Sequence, residues 1–440
     1  MSEPTVRDTA GDTAAVRAAV RESAAAGRRA AGPLAALSRA ERDAALEVIA
    51  DALLDHADTV LEANRQDVAS APDLRPRDTD AVLDRLRLDA GQIAEMAATM
   101  RHVATLPDPI GENTRSTVLP SGLDVQRIRV PLGVVAFVHE GRPNATVDAA
   151  ALCLKSGNAV LLRGSSVARR TDTALISVIR DALATTAVPV DAVQRVPGTT
   201  RASVRELMTA TGLIDLLIPR GGTDLIRTVR VGATVPVIEN GIGNCHVYVD
   251  EHADPAMALS VLLDAKTQRP STCNAAESLL VHSRIADAFL PDALAALRAL
   301  GVTVHGDPHV RSYDDTVVPA TEEDWATEYL SLDLSAAVVD SLDEAAAHIR
   351  RYGSGHTEAI VTDSPAHARH FASAVDTAVI AVNLSTRCVD GAEMGLGAEI
   401  GISTQKLHAR GPMGTKALTT TTYVLTGGGH VRGTPPAPPS

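Results

Sequence analysis

Cys273 stands in the run TQRPSTCNAAESLLVH, residues 267–282, whose composition suits a nucleophile loop. Gln268, Arg269, Pro270 and Ser271 are polar and loop-forming, Asn274 follows the cysteine, and the apolar 279–281 re-enters a buried strand. A thiol attacks as its thiolate, and positive charge or hydrogen-bond donors close by favour that form. Arg269, Asn274 and the loop amides are groups of that kind. A cysteine is equally at home as a small buried hydrophobe, so the stretch alone leaves both readings open.

A second kind of chemistry is anion binding. Arg163, Gly164, Ser165 and Ser166 lead from a β-prone run into a helical one, and Arg220, Gly221 and Gly222 repeat the arrangement. Free amides and the dipole at a helix start attract phosphate, and an arginine grips two oxygens at once. Glycines at such turns also serve tight backbone geometry alone. HEGRPNAT, 139–146, is a third loop of this type. No GxGxxG follows a strand; GLGAEIG, 395–401, is a near miss, and a Walker A motif is absent. Cys245-His246 followed by strand-like VYVD falls short of a zinc ligand set, so no metal is expected.

The elements that must position these residues read as follows. The first hundred residues are helical. Ser38 with Glu41 forms a capping box ahead of Leu46, Ile49, Ala50, Leu53 and Leu54, and a further helix is expected over 81–103. Two β-prone runs within 117–130 flank Pro120-Ser121-Gly122, a hairpin signal, and TTTYVLTG, 420–427, is a late strand of the same kind. Lying outside the main sheets, both are candidates for pairing with another subunit. From Pro131 strands alternate with helices: strands over 133–139, 159–163, 193–196, 214–218 and 235–239, then over 246–250, 278–282, 336–339, 358–362 and 378–383. Such alternation gives an α/β fold of two doubly wound parallel-sheet domains plus a β-hairpin, with ligands beyond the carboxyl ends of the strands. The divisions expected are 12–116 with 131–240, 241–411, the strands 117–130 and 412–428, and flexible ends at 1–11 and 429–440. Cys273 then lies in the second domain and the anion loops in the first, with a cleft able to join them.

Composition narrows the function. A net charge of -13 speaks against nucleic acid and anionic membranes, which need concentrated positive charge, while a small anionic substrate needs only a local cluster. Aromatics at 2% leave few stacking residues. Cys153, Cys245, Cys273 and Cys388 form no CxxC pair, which reads as a reduced, cytoplasmic protein. Glu3, Asp8, Asp12 and Glu22 argue against a transit peptide in the Ala- and Arg-rich start, and the longest apolar runs fall far short of a membrane span.

Six separated blocks carry a resemblance: VPLGVVAFVHEGRPNATVDAAALCLKSGNAVLLRGSS, DLLIPRGG, ENGIGNCHVYVD, the Cys273 loop, EYLSLDLSAAVVDSLDEAAAHIRRYGSGHTEAIVT and VNLSTRCVDGAEMGLGAEIGISTQKLHARGPMG. From about 34 to about 428 the chain is similar to the gamma-glutamyl phosphate reductases, or glutamate-5-semialdehyde dehydrogenases, a branch of the aldehyde dehydrogenase superfamily. The resemblance implies cofactor-binding, catalytic and oligomerisation regions, a homo-oligomer, and the NADPH-dependent second step of proline biosynthesis, in which a small acyl phosphate is reduced. It also raises a contact with the upstream glutamate kinase.

It further implies that Cys273 is the nucleophile, forming a thioester that waits for hydride out of reach of water. Asn144 matches the asparagine that donates to the oxyanion, although as residue type it also suits an N-cap. Arg163, Gly164, Ser165, Arg220, Gly221 and Gly222 fall where the superfamily holds the adenosine ribose and pyrophosphate, and an arginine there suits the 2′-phosphate of NADPH. Glu328 matches a glutamate near the nicotinamide ribose. Glu239 matches the general base of hydrolytic members, which leaves a hydrolytic aldehyde dehydrogenase as the alternative. Asn383, Ser385 and Arg387 occupy the loop at the substrate mouth, with Arg387 the candidate for the alpha-carboxylate. Arg269 is placed either to hold the leaving phosphate or to brace its loop. Gly141, Cys388 and Met394 depart from the residues usual at their positions, which bears on pocket shape more than on reaction.

Overall fold

The computed structural model describes residues 10–70, 83, 85–198 and 200–433. Most of the two ends expected at 1–11 and 429–440, and the start of the helix expected over 81–103, lie outside them. The chain forms two compact units: one runs up to Ile238 and includes Leu396–Ile400 and the chain from Met413, the other comprises Glu239–Gly395 and Gly401–Pro412. Among the described residues no helix is long and apolar enough to cross a membrane.

The first unit begins with helices Ala10–Ala36, Arg39–Asp55, Ala57–Ala69 and Ala90–Thr105. The Ser38 capping box forms: Glu41 N donates to Ser38 Oγ at 3.3 Å and Ser38 N to Glu41 Oε2 at 2.7 Å. Leu46, Ile49, Ala50 and Leu53 are buried, whereas Leu54, read as part of the same face, is exposed. Strands β1 (Asn113–Val118) and β2 (Asp124–Pro131) form the expected hairpin. Strands β3 (Val134–His139), β4 (Ala159–Arg163), β5 (Val193–Arg195) and β6 (Leu216–Arg220) make a parallel sheet in the order β5-β4-β3-β6. The run 235–239, expected as a strand, gives one bridge, Leu217 to Val237, because Pro236 has no N–H to extend a ladder.

In the second unit β7 (Cys245–Val249), β8 (Ala276–His282), β9 (Thr303–Gly306), β10 (Val318–Pro319), β11 (Asp333–Val339), β12 (Thr357–Val361) and β13 (Val379–Val382) form one parallel sheet, ordered β10-β9-β11-β8-β7-β12-β13. Helices Pro255–Thr267 and Ser283–Ala299 pack on one face through Ala258, Leu262, Ala265, Phe289 and Leu290. Helices Leu342–Tyr352 and Pro365–Ala374 pack on the other through Ala346, Ile349 and Phe371. Burial on both faces explains why these strands read as unbroken apolar runs. Ile402–Ser403 (β14) and Gly411–Pro412 (β15) form a small antiparallel pair.

The late strand β16 (Thr419–Thr426) does not wait for a partner outside the chain. It pairs antiparallel with β2 from Thr419↔Pro131 to Thr426↔Asp124, so hairpin and late strand make one three-stranded sheet whose outer strands are β1 and β16.

Candidate active site

In the first unit the chain runs outward from β3 to β5 and returns to place β6 beside β3, so the progression reverses between these two strands. The loops beyond their carboxyl ends are where such a sheet takes a ligand. His139 pairs with Arg220 in register, and Glu140 N donates to the Arg220 carbonyl at 3.1 Å, which brings HEGRPNAT and PRGG together. Gly222 caps helix Thr223–Gly232, but its N–H donates to Glu140 Oε1 at 3.0 Å, and a Cβ at Gly221 would meet the same carboxylate at 2.6 Å. An anion bound at this helix start would have to displace Glu140. Arg220 makes no side-chain hydrogen bond or ion pair among the described residues, whereas Arg163 donates to Thr200 O at 3.2 Å and sits 3.4 Å from Ser203 Oγ. Ser165 Oγ accepts from Val167 N at 3.2 Å, starting the turn Ser166–Ala168.

Asn144 is not an N-cap. Arg142 holds that position, Pro143 begins helix Pro143–Lys155, and the Asn144 carboxamide is exposed. Gly141 has a local reason as well: a Cβ there would lie 2.9 Å from Val167 Cγ2.

Beneath these loops lies a buried polar chain that sequence reading missed. Thr146 Oγ1 is 2.9 Å from Asp172 Oδ1 and 3.1 Å from His139 Nε2, and His139 Nδ1 is 3.2 Å from the Glu140 carbonyl. Burial pushes the Asp172 carboxyl up to about 7 and draws the His139 imidazole down to about 4. Thr146 Oγ1 donates to Asp172 Oδ1, which offsets part of that burial effect, and His139 Nδ1 lies within reach of the Glu140 carbonyl as a donor. Gly164 is glycine because Asp172 Oδ2 would be 1.7 Å from any Cβ. A carboxyl raised from 3.8 to about 7 carries no penalty at low pH and a growing one as pH climbs through that range. Asp172→Asn should therefore gain on the wild type by up to roughly 4 kcal/mol between pH 4 and pH 8. Urea unfolding at the two pH values checks this; an unchanged difference refutes it.

In the second unit Cys273 is half-buried in the loop between helix Pro255–Thr267 and β8, and none of the four cysteines is in a disulfide. The loop's backbone is strongly determined. Thr272 N donates to Arg269 O at 3.3 Å and Ala275 N to Thr272 O at 3.0 Å. The Cys273 carbonyl accepts from Cys245 Sγ at 3.3 Å and lies against Gly243, where a Cβ would be 1.5 Å from its oxygen. Gly243 N in turn donates to Glu328 Oε1 at 2.7 Å. Glu328 thus shapes the thiol loop's backing, whatever it does for a ribose.

Arg387 is drawn into the same loop. Its Nε donates to Gln268 Oε1 at 2.9 Å and its Nη1 to Asn274 Oδ1, so it clasps residues on both sides of Cys273. Asn274 is completed by donating to Val389 O at 2.9 Å. Ser385 Oγ accepts from Arg387 N at 3.2 Å and shapes this turn. Asn383, at φ 55°, is committed elsewhere: Oδ1 accepts from Thr362 N at 2.8 Å and Nδ2 donates to Thr362 O at 3.0 Å. Arg269 is exposed, without an ion pair among the described residues. Glu239 is 9% exposed, and its N–H donates to Gln405 Oε1 at 3.0 Å. Gly395–Gly401 forms no strand-to-helix turn, which removes GLGAEIG as a dinucleotide motif.

A buried ion pair closes the loop and had no signal in the sequence. Lys266 Nζ and Glu277 Oε2 are 2.6 Å apart, both side chains at 0% exposure, at the two ends of the thiol segment. Glu277 Oε1 also accepts from Leu330 N at 3.1 Å, holding the positive φ of 56° at Leu330. Burial pushes the Glu277 carboxyl up and Lys266 down.

This chain is 62% identical to a gamma-glutamyl phosphate reductase of Thermobifida fusca over 94% of its length and 98% of the relative's. The chain belongs to the gamma-glutamyl phosphate reductase family. A family relative from Kineococcus radiotolerans is 52% identical over 91% of this chain and 93% of its own. A solved gamma-glutamyl phosphate reductase from Thermotoga maritima superposes with a TM-score of 0.90 at 45% identity, covering 94% of this chain and all of that one. Residues 2–331 match the model of the aldehyde dehydrogenase family, within which this reductase family falls.

Proposed function

We propose that this protein reduces L-glutamyl 5-phosphate to L-glutamate 5-semialdehyde with NADPH and releases phosphate, the second step of proline biosynthesis. The observation that carries this reading is a half-buried cysteine on a loop with a fixed backbone, in a chain 62% identical to a named reductase of that substrate. Cys273 attacks the gamma-carbonyl; Asn144 and the Cys273 amide stabilise the oxyanion; collapse expels phosphate and leaves a thioester. A bound nicotinamide cofactor supplies the hydride that frees the aldehyde from the thioester. Arg163 and Arg220 give the first unit's loops the positive charge that suits NADPH, and Gly221 and Gly222 leave backbone room for its pyrophosphate once Glu140 turns away. Arg269 receives the departing phosphate. Arg387, with Nε and Nη1 engaged, has Nη2 to offer the alpha-carboxylate.

The test is NADP reduction by glutamate semialdehyde with and without inorganic phosphate. Strict phosphate dependence is expected. Oxidation that proceeds without phosphate and needs Glu239 would favour the hydrolytic alternative. A cytoplasmic location accords with the reduced cysteines.

Homo-oligomerisation through the three-stranded sheet completes the reading. Its outer strands expose Val118, Tyr423 and Leu425, and an open strand edge is a template for another copy. Introducing lysine at Val118 and Leu425 together should shift the protein to monomer in light scattering; an unchanged mass would show that assembly uses another surface.

A further inference from the structure

The second unit's sheet has a switch point that the thiol chemistry leaves unused. From β7 the chain proceeds to β8 and onward to β10, then returns to place β12 on the other side of β7. The helix following β7, Pro255–Thr267, packs with Val247 and Val249 on one face. The helix following β12, Pro365–Ala374, packs with Tyr248 and Ile360 on the opposite face. The two connections part at the carboxyl ends of adjacent strands, the geometry that opens a ligand crevice in parallel sheets. Cys273 precedes β8 and so belongs to the amino end of the same sheet.

Three metal-type side chains meet at that carboxyl end. Glu251 and His252 follow β7, His367 comes from the first turn after β12, and their ligand atoms all lie within 4.8 Å of one another. The His252 and His367 rings stand 4.8 Å apart. His367 Nδ1 is 2.9 Å from Oδ2 and 3.0 Å from Oδ1 of Asp250, a carboxylate at 0% exposure. Asp250 is itself fixed by Thr362 Oγ1 at 2.7 Å and Tyr248 OH at 3.2 Å. A carboxylate on one ring nitrogen fixes the tautomer, so that the lone pair sits on Nε2, and raises that nitrogen's basicity. Glu251 pairs with Arg284 Nη1 at 2.5 Å, with His282 Nε2 at 3.9 Å.

We propose that Glu251, His252 and His367 bind a divalent first-row transition ion of the zinc class, with Asp250 as the group that orients His367. Two imidazoles and one carboxylate form a three-ligand set that suits such an ion and leaves a fourth position for water. The ion ties the loop after β7 to the helix after β12. Arg284 competes with it for Glu251.

The experiment uses full-length, tag-free protein carrying Cys273→Ser, so that the thiolate does not compete, titrated with Co(II) and followed by visible absorption, with Zn(II) as displacing ion. One saturable equivalent is expected. His252→Ala and His367→Ala should each weaken it at least about tenfold, and Asp250→Asn by about 10–100-fold. Arg284→Ala should tighten it. Because His252 is exposed, its replacement tests ligation without threatening the fold. Absence of saturable binding, or equal affinity in the parent and both histidine variants, overturns the proposal.

Discussion

Replacing Cys273 by alanine should lower reductase turnover by about 10^5- to 10^6-fold, the loss typical of deleting a covalent nucleophile. The fold should survive, because main-chain groups and neighbouring side chains hold this loop. The Cys273 carbonyl takes the hydrogen bond from Cys245 Sγ, the neighbouring turn is closed by main-chain groups of Arg269, Thr272 and Ala275, and Arg387 clasps Gln268 and Asn274. Loss of activity with an unchanged thermal midpoint is therefore the expected pair of results, measured by NADPH oxidation and calorimetry. An alanine variant that turns over within tenfold of the wild type would remove Cys273 from the chemistry.

The second large effect concerns stability. Lys266→Met strands the Glu277 carboxylate in a fully buried site, and Glu277→Met strands the ammonium. Removing one partner of a buried pair costs about 3–5 kcal/mol, whereas replacing both with apolar side chains of similar volume is near neutral or better. Each single variant should thus lower the second unit's unfolding midpoint by roughly 10 °C, while Lys266→Met with Glu277→Met should recover most of it. Equal losses in the single and double variants would mean that packing, and not uncompensated charge, sets the cost. The single variants should also lose activity below their midpoints, since the pair fastens both ends of the segment carrying Cys273.

Much of this architecture was legible because parallel strands buried on both faces leave apolar runs bounded by glycine and polar turns. Val134 to Val138 is such a run, and so is Leu279 to Val281. Strands β9 and β10 escaped: TVHG carries a histidine and a glycine on a short edge-side strand, and Val318–Pro319 is two residues long. The run 235–239 misled for the opposite reason, apolar enough for a strand but interrupted at Pro236. At the site, residue types pointed to the thiol loop and the arginine-glycine turns. Orientation was invisible. Nothing in the spacing of Glu140 and Gly222 says that a carboxylate covers the helix start, and nothing in that of Arg387 says that its guanidinium also clasps Gln268 and Asn274. His367 and Asp250 meet only because β7 and β12 are neighbours, a fact of topology and not of sequence distance.

The outlying three-stranded sheet imposes an order on biosynthesis. Arg127 and Thr421, bonded across β2 and β16, are 294 positions apart, so the hairpin emerges from the ribosome long before its third strand exists. Until then the inner edge of β2 presents unpaired amides, a surface that chaperones or a neighbouring nascent chain can occupy. Premature termination ahead of Thr419 would leave that edge permanently open, a seed for precipitation.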